Sequence, residues 1–417
     1  MIMAYKTDKS IEYHRQAMNV VPSGLQNNFL HTDGIPVLYF TRGNGSRIWD
    51  VDGNEYLDFD GKHGSQFLGH GNEKYLASLQ DQMGQVLSVD WVSISNKACY
   101  YLQRFIPCCD FVRFSLSGTE AISNAARLAK AYTEKPIIIK FHGHYHGSSD
   151  LMLHGEQVKT IAWNSLKELE DCVNSEGNQV AAIIMEPVCM SSGGIMVDHS
   201  YLHVLRQFCH QKNILLIFDE VITGIRTHIG GMQVALGITP DIAVFSKSLG
   251  NGIPISAICA KQEIMQLYID KKVIHGGTYN GYPLGLAAVC ATFDILTSDE
   301  ANEYKHLHER AEKMKNLLIF HAKHCDLPLS IQGADNSYTI NCSTQPVKEY
   351  SQWTKTLIKK NTILRACMQD HGILLAPVSR IYPNIAFTDN DLDFINNKVP
   401  LAFRQAVRII NKLGVNS

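Results

Sequence analysis

The chemistry-bearing residues of this 417-residue chain fall into three groups. The first is the stretch KFHGHYHGSSD, Lys140 to Asp150, which sets His142, His144 and His146 on alternate positions with Asp150 four residues beyond. A strand running into a loop would aim alternate side chains the same way, and imidazoles grouped with a carboxylate suit a transition metal. Tyr145, between them, offers a flat aromatic face instead. The second group is SLSGTEAISNAARLAKAY, where Ser117 and Glu120 fit a capping box ahead of apolar residues at helical spacing. That is either an ordinary helix start or an anion cradle, in which Ser117, Gly118 and Thr119 present hydroxyls and first-turn N–H groups to a phosphate. The third is a pair: Asp219 directly after the apolar run ILLIF, and Lys247 directly after IAVFS. A charge at the rim of a buried sheet needs a partner. A partly desolvated lysine there becomes a nucleophile for carbonyl carbons, although a buried Asp–Lys pair holding two strands is the structural alternative.

These residues can cooperate only if the fold gathers them. From about Phe111 to Ala260, short β-rich runs alternate with helical stretches: FVRFS, a helix over Thr119 to Tyr132, IIIKF, VAAIIM, a helix over Tyr201 to Lys212, ILLIFDE, IAVFS and ISAICA. That rhythm predicts an α/β fold with a mostly parallel sheet covered by helices. Ligands of such sheets sit beyond the carboxyl ends of the strands, so all three groups are expected in one crevice. GSRIWDVDGNEYLDFDG reads as a hairpin turning at Asp52-Gly53. A helical stretch follows Thr297, and LDFINNKVPLAFRQAVRIINKL closes the chain as an amphipathic helix. The expected plan is a large domain over 61–297 and a smaller α+β domain from both chain ends, 1–60 and 298–417.

Bulk properties narrow the class. Lys+Arg of 38 against Asp+Glu of 40 gives a formal net charge of −2, which offers nothing to nucleic acid or an anionic membrane. The N-terminus lacks the apolar core of a secretory signal and no apolar run is long enough to span a bilayer, so a cytoplasmic protein is expected. Eleven cysteines without C-x-x-C or zinc spacing read as reduced, mostly buried thiols. The phosphate segment lacks G-x-x-x-x-G-K-[ST], and SLGNGIP is not G-x-G-x-x-G, which disfavours a nucleotide site.

One cofactor uses all the parts. Pyridoxal 5′-phosphate needs a lysine for a Schiff base, a carboxylate for its pyridine nitrogen and an anion site for its phosphate. It also needs an aromatic face on one side of the ring and an apolar contact on the other, which Tyr145 and Val221 can supply.

The motifs DVDGNEYLDF, FLGHG, SGTEA, FHGHYHG, AAIIMEP, LLIFDEVITGIR, GITPDIAVFSKSLGNGIPISA and GGTYNGYPLG, in this order, resemble the class III aminotransferases of fold type I. The chain is most similar to their glutamate-1-semialdehyde aminomutase branch, from VPSGL to GILLAP. The resemblance implies that Lys247 is the Schiff-base lysine and proton shuttle, Asp219 the pyridinium partner, and Ser117, Gly118 and Thr119 the phosphate loop. It further implies that Thr278 reaches the phosphate of a neighbouring subunit in a homodimer. Tyr145 is then the functional residue of its loop and the histidines shape that loop by hydrogen bonding; a metal site, as in a hydrolase using His142, His144 and His146, is the lesser alternative.

The substrate half departs from the branch. Leu30 stands where the aminomutases carry an arginine, and cannot form a bidentate clamp on a carboxylate. His63 replaces a tryptophan, and LAPVSRIYPNIAFT lacks a family glutamate while offering Arg380 and Tyr382. The reading that follows is a transaminase acting on a small polar metabolite, such as an amino sugar, with separate amino donor and carbonyl acceptor. Asn27, His63, Gln66, Glu186 and Arg380 are the candidate pocket residues. The alternative is an aminomutase, which needs no second substrate.

Overall fold

VAAIIM and ILLIF are apolar on every position, and only a sheet covered on both faces can bury such strands. The structure, a computed structural model, describes residues 5–27, 35–298 and 300–414 and meets that demand. Seven strands form one sheet: β1 (Phe111–Ser115), β2 (Ile137–Phe141), β3 (Val158–Ile161), β4 (Val180–Met185), β5 (Leu215–Asp219), β6 (Ile242–Phe245) and β7 (Ser256–Ala260), in the order β1-β7-β6-β5-β4-β2-β3. Every residue of β4 and β5 is buried. Neighbours from β6 through β3 are parallel, while β7 is antiparallel to both β6 and β1. Six strands therefore end on one edge, and β7 alone begins there, with Ser256 opposite Ser115.

Helix α1 (Gly118–Thr133) opens with the expected capping box: Ser117 Oγ accepts the Glu120 N–H, and the Glu120 carboxylate accepts the Ser117 N–H at 3.0 Å. Its buried stripe is mostly alanine, Ala121, Ala125, Ala126 and Ala129, which lets the helix lie close over β4, β6 and β7. Strand β3 and the helix Pro283–Ser298 are among the elements the sequence did not make legible. Strand β3 is a short edge strand, half-buried and without strong alternation. The helix Pro283–Ser298 is buried on nearly all sides, so no polar stripe marks its period.

The chain divides into two compact units, 73–304 with 348–352, and 1–72 with 305–347 and 353–417. The sheet above belongs to the first. In the second, strands Phe40–Asn44, Arg47–Asp50 and Glu55–Phe59 are joined by Ile373–Leu375, parallel to Glu55–Phe59, so both chain ends build one sheet. The Asp52-Gly53 turn is present, held by Asp50 Oδ1, which accepts the N–H groups of Asp52 and Asn54 at 3.0 and 2.8 Å. Residues 61–72 stay with this unit because His70 and Gly45 exchange backbone hydrogen bonds of 2.7 and 2.8 Å. The border of the compact unit therefore lies beyond the residue 60 expected from sequence. No helix among the described residues is long and apolar enough to cross a membrane.

Candidate active site

A cleft of about 190 Å³ lies beyond the edge where six strands end. Each expected strand end contributes to it: Ser117, Gly118 and Thr119 after β1, Tyr145 after β2, Glu186 after β4, Asp219 as the last residue of β5 with Val221 beyond it, and Lys247 after β6.

Asp219 is 4% exposed and finds the partner its burial demands in His146, whose Nδ1 lies 2.7 Å from Oδ2. The other carboxylate oxygen accepts the Val221 N–H at 3.1 Å, which fixes both the carboxylate and the start of the loop carrying Val221. Val221 is pressed against the first turn of α1. A Cβ on Gly118 would stand 3.1 and 3.2 Å from its two methyl groups, so this glycine makes room for the valine. Ser117 Oγ is engaged in the helix cap, and Thr119 Oγ1 accepts the Ser148 N–H at 3.3 Å. The Gly118 and Thr119 N–H groups, which no carbonyl of the helix can reach, are the helix-start donors at the cleft.

Lys247 stands at φ +47, a left-handed conformation that costs any side-chain-bearing residue. Its neighbours hold it there. Ser246 Oγ donates to the Ile255 carbonyl at 2.9 Å and Ser248 Oγ to the Gly224 carbonyl at 2.8 Å. Asn251 Nδ2 then ties the Ser248 carbonyl to Thr292 Oγ1, both at 2.8 Å. Such over-determination of a strained turn is a mark of functional positioning.

Glu186 lines the cleft, yet hydrogen bonds fasten it into the protein. Its carboxylate accepts the Tyr145 N–H at 2.8 Å and its own N–H donates to His144 Nδ1 at 3.0 Å. Burial, with Asp219 nearby, pushes its carboxyl above the usual range. This residue therefore fastens the Tyr145 loop to β4, leaving Tyr145 partly exposed at 41% in the cleft.

The three histidines do not converge. Gly143, at φ +84, turns the chain out of the extended conformation that alternate spacing presumes. His142 is left outside, stacked on Tyr350 at 6.1 Å, while His144 and His146 point inward and are buried. Among the described residues, no group of three His, Cys, Asp or Glu side chains is arranged to hold a metal. His146 is the functional residue that sequence reasoning left as a loop-shaper; the need of Asp219 for a partner was its signal.

Thr278 lies outside the cleft, exposed on the loop between Val273 and Pro283. Asn27, His63, Gln66 and Arg380 belong to the other unit. There His63 donates its N–H to Asp60 Oδ1 at 2.8 Å, and Arg380 donates Nε to the Pro377 carbonyl at 3.0 Å. Gln66 lines a pocket of that unit with Asp58, Asp60 and Arg365. Burial pushes the Asp60 carboxyl up, Asp58 adds to this, and the Arg380 and Arg365 guanidinium groups oppose it. Tyr382 is buried, and Leu30 falls outside the described residues.

The residues present fit a flat, phosphorylated ring with an aldehyde and a basic nitrogen. The cleft offers Lys247, the buried Asp219 carboxylate held from behind by His146, a helix N-terminus, and an aromatic and an aliphatic face.

Residues 31–162 and 155–403 match the family model of class-III aminotransferases. The chain is 32% identical to a glutamate-1-semialdehyde 2,1-aminomutase of Desulforamulus reducens, over 97% of this chain and 100% of that protein. It is 30% identical to another from Methanosphaera stadtmanae, over 95% and 98%. An omega-transaminase from Sphaerobacter thermophilus has the same fold, with a TM-score of 0.90 at 24% identity, over 95% of this chain and 98% of that one. A glutamate-1-semialdehyde aminomutase structure from Pseudomonas aeruginosa gives 0.86 at 20% identity, over 96% and 95%.

Proposed function

The chain belongs to the class-III aminotransferases, whose cofactor is pyridoxal 5′-phosphate, and from that premise we propose an aminomutase-type reaction. In it an amino group moves between neighbouring carbons of one small polar molecule. The observation that carries this reading is the full-length likeness to proteins named 2,1-aminomutases.

When bound, the cofactor supplies a carbonyl that links to amines and a ring that stabilises negative charge on the adjacent carbon. Lys247 would hold that carbonyl and, once released by an incoming amine, use its Nζ as the base that moves a proton between substrate carbons. Asp219 would keep a proton on the ring nitrogen, with His146 behind it holding the carboxylate in place. The α1 N-terminus at Gly118 and Thr119 would take the phosphate, and Tyr145 and Val221 would close on the two ring faces. Thr278, exposed and outside its own chain's cleft, is assigned to the phosphate of a second copy in a homodimer.

A second reading has its own support. Leu30, in place of an arginine that suits a carboxylate, favours a transaminase with a separate donor and acceptor. The two readings differ in stoichiometry. Cofactor-loaded protein given glutamate-1-semialdehyde alone should form its positional isomer catalytically. Absence of turnover with that compound, together with turnover when an amine donor and a keto acceptor are supplied as a pair, would replace the aminomutase by the transaminase.

A further inference from the structure

Behind Asp219 runs a line of rings of which the reaction, as described, uses only the first, His146. His146 and His144 lie 5.9 Å apart between ring centroids, His144 and Trp163 4.4 Å, and Trp163 and Tyr201 5.9 Å. All four are buried. One polar atom of each, His146 Nε2, His144 Nε2, Trp163 Nε1 and Tyr201 Oη, is closed off from solvent without a hydrogen-bond partner. An unsatisfied buried polar group costs about 1–3 kcal/mol. Four in adjacent rings is a cost that phenylalanines would avoid, and buried water is the usual remedy.

The polarity of the bonds can be read from their fixed ends. The Glu186 N–H donates to His144 Nδ1, so that nitrogen is bare and the neutral ring carries its proton on Nε2. Burial pushes the His144 imidazole well below its usual range, with His146 adding to the effect, which favours this neutral form. At His146 the order reverses. A carboxylate can only accept, so Nδ1 carries the proton toward Asp219, and a ring with that single proton leaves Nε2 as an acceptor. One ring thus offers a donor and its neighbour an acceptor. Two hydrogen bonds through one water span about 5–6 Å between nitrogens, a length these ring separations allow.

We infer that a buried water bridges His144 Nε2–H to His146 Nε2, completing a one-way run of hydrogen bonds from the Glu186 backbone to Asp219. His144 is then a positioning residue that acts through His146, and the inference rests on Asp219 being the residue that faces the cofactor.

The test uses full-length protein labelled with ¹⁵N at histidine, with and without pyridoxal phosphate, read by long-range ¹H–¹⁵N correlation. His144 should show the Nε2–H tautomer and His146 the Nδ1–H tautomer, assigned by loss of signals in His144→Asn and His146→Asn. The opposite tautomer at either ring, or a doubly protonated His146, overturns the relay, and this readout needs no turnover. His144→Asn keeps an acceptor for the Glu186 N–H and leaves nothing at the Nε2 position, whereas His144→Gln reaches that position. The asparagine variant should move the His146 ¹⁵N shifts and lower kcat roughly tenfold at unchanged substrate KM, with glutamine restoring most of it. A His144→Asn protein with wild-type His146 shifts and kcat would mean that His144 merely staples Glu186. Because the tautomers are read without substrate, failure of the relay is separable from failure of the aminomutase reading.

Discussion

Lys247 and Asp219 carry their functions in different physical forms. The lysine sits in a strained backbone turn held by its neighbours, and the aspartate in a buried hydrogen-bond network. Removing the amine in Lys247→Ala should abolish turnover and leave the cofactor untethered. Borohydride treatment of the wild type should fix the cofactor's mass on the peptide containing Lys247; finding it on another lysine would reject the assignment. Asp219→Asn keeps the shape and the Val221 contact but removes the charge that stabilises a proton on the ring nitrogen. Its kcat should fall by roughly 10²–10⁴, the span of a well-placed acid–base group, with a smaller effect on cofactor affinity. A variant within a factor of two of wild type would show that the ring nitrogen is held by some other group.

At the scale of elements, the legible part is the part that repeats. Five strand ends were readable because apolar runs such as ILLIF stop abruptly at polar residues, and the sheet places those ends on one edge. The capping box at Ser117 and Glu120 was readable for the same local reason. Long-range pairings were not. Nothing in HGHYHG says that a turn at Gly143 sends His142 outward and His146 to Asp219, or that Gly118 is needed for Val221. Glu220 is another such case. Fully buried, it accepts N–H bonds from Met232 and Gln233 and so ties the end of β5 to the far end of the loop that begins with Val221. Desolvation outweighs these donors and lifts its carboxyl from 4.5 to about 7. A folded value above the unfolded one means the folded state holds the proton better. The resulting stability is full below about 4.5 and is lost as pH rises through about 7. Glu220→Gln removes this titration, so thermal midpoints of variant minus wild type should shift in the variant's favour between about pH 5 and pH 8. A flat or opposite trend would mean that the surrounding N–H groups keep the carboxylate ionised. The Lys247 turn is testable in the same way. Asn251→Ala strips a buried link from the Ser248 carbonyl and Thr292, and should cost about 1–3 kcal/mol in urea unfolding.

At the scale of the whole molecule, the open question is whether one chain makes a complete site. The cleft gathers side chains from five strand ends, yet Thr278 stays outside it on an exposed loop whose neighbours Ile274 and Tyr279 are 77% and 58% exposed. Large apolar side chains left in water beside a candidate phosphate ligand are what an isologous contact with a second copy would cover. If Thr278 serves the other subunit, Lys247→Ala and a disruptive Thr278→Lys variant should each be inactive alone and complement each other when co-expressed. In a hybrid dimer, the site that contains Lys247 receives its threonine from the Lys247→Ala chain and is wild type in every residue. Random pairing at equal amounts puts half of the dimers in this hybrid form, each with one intact site, so about a quarter of wild-type activity should return. Recovery must also require co-expression or subunit exchange, and sedimentation must show a dimer. A monomer with full activity, or a Thr278→Lys protein as active as wild type, would place the whole site within one chain and leave Ile274 and Tyr279 to some other use.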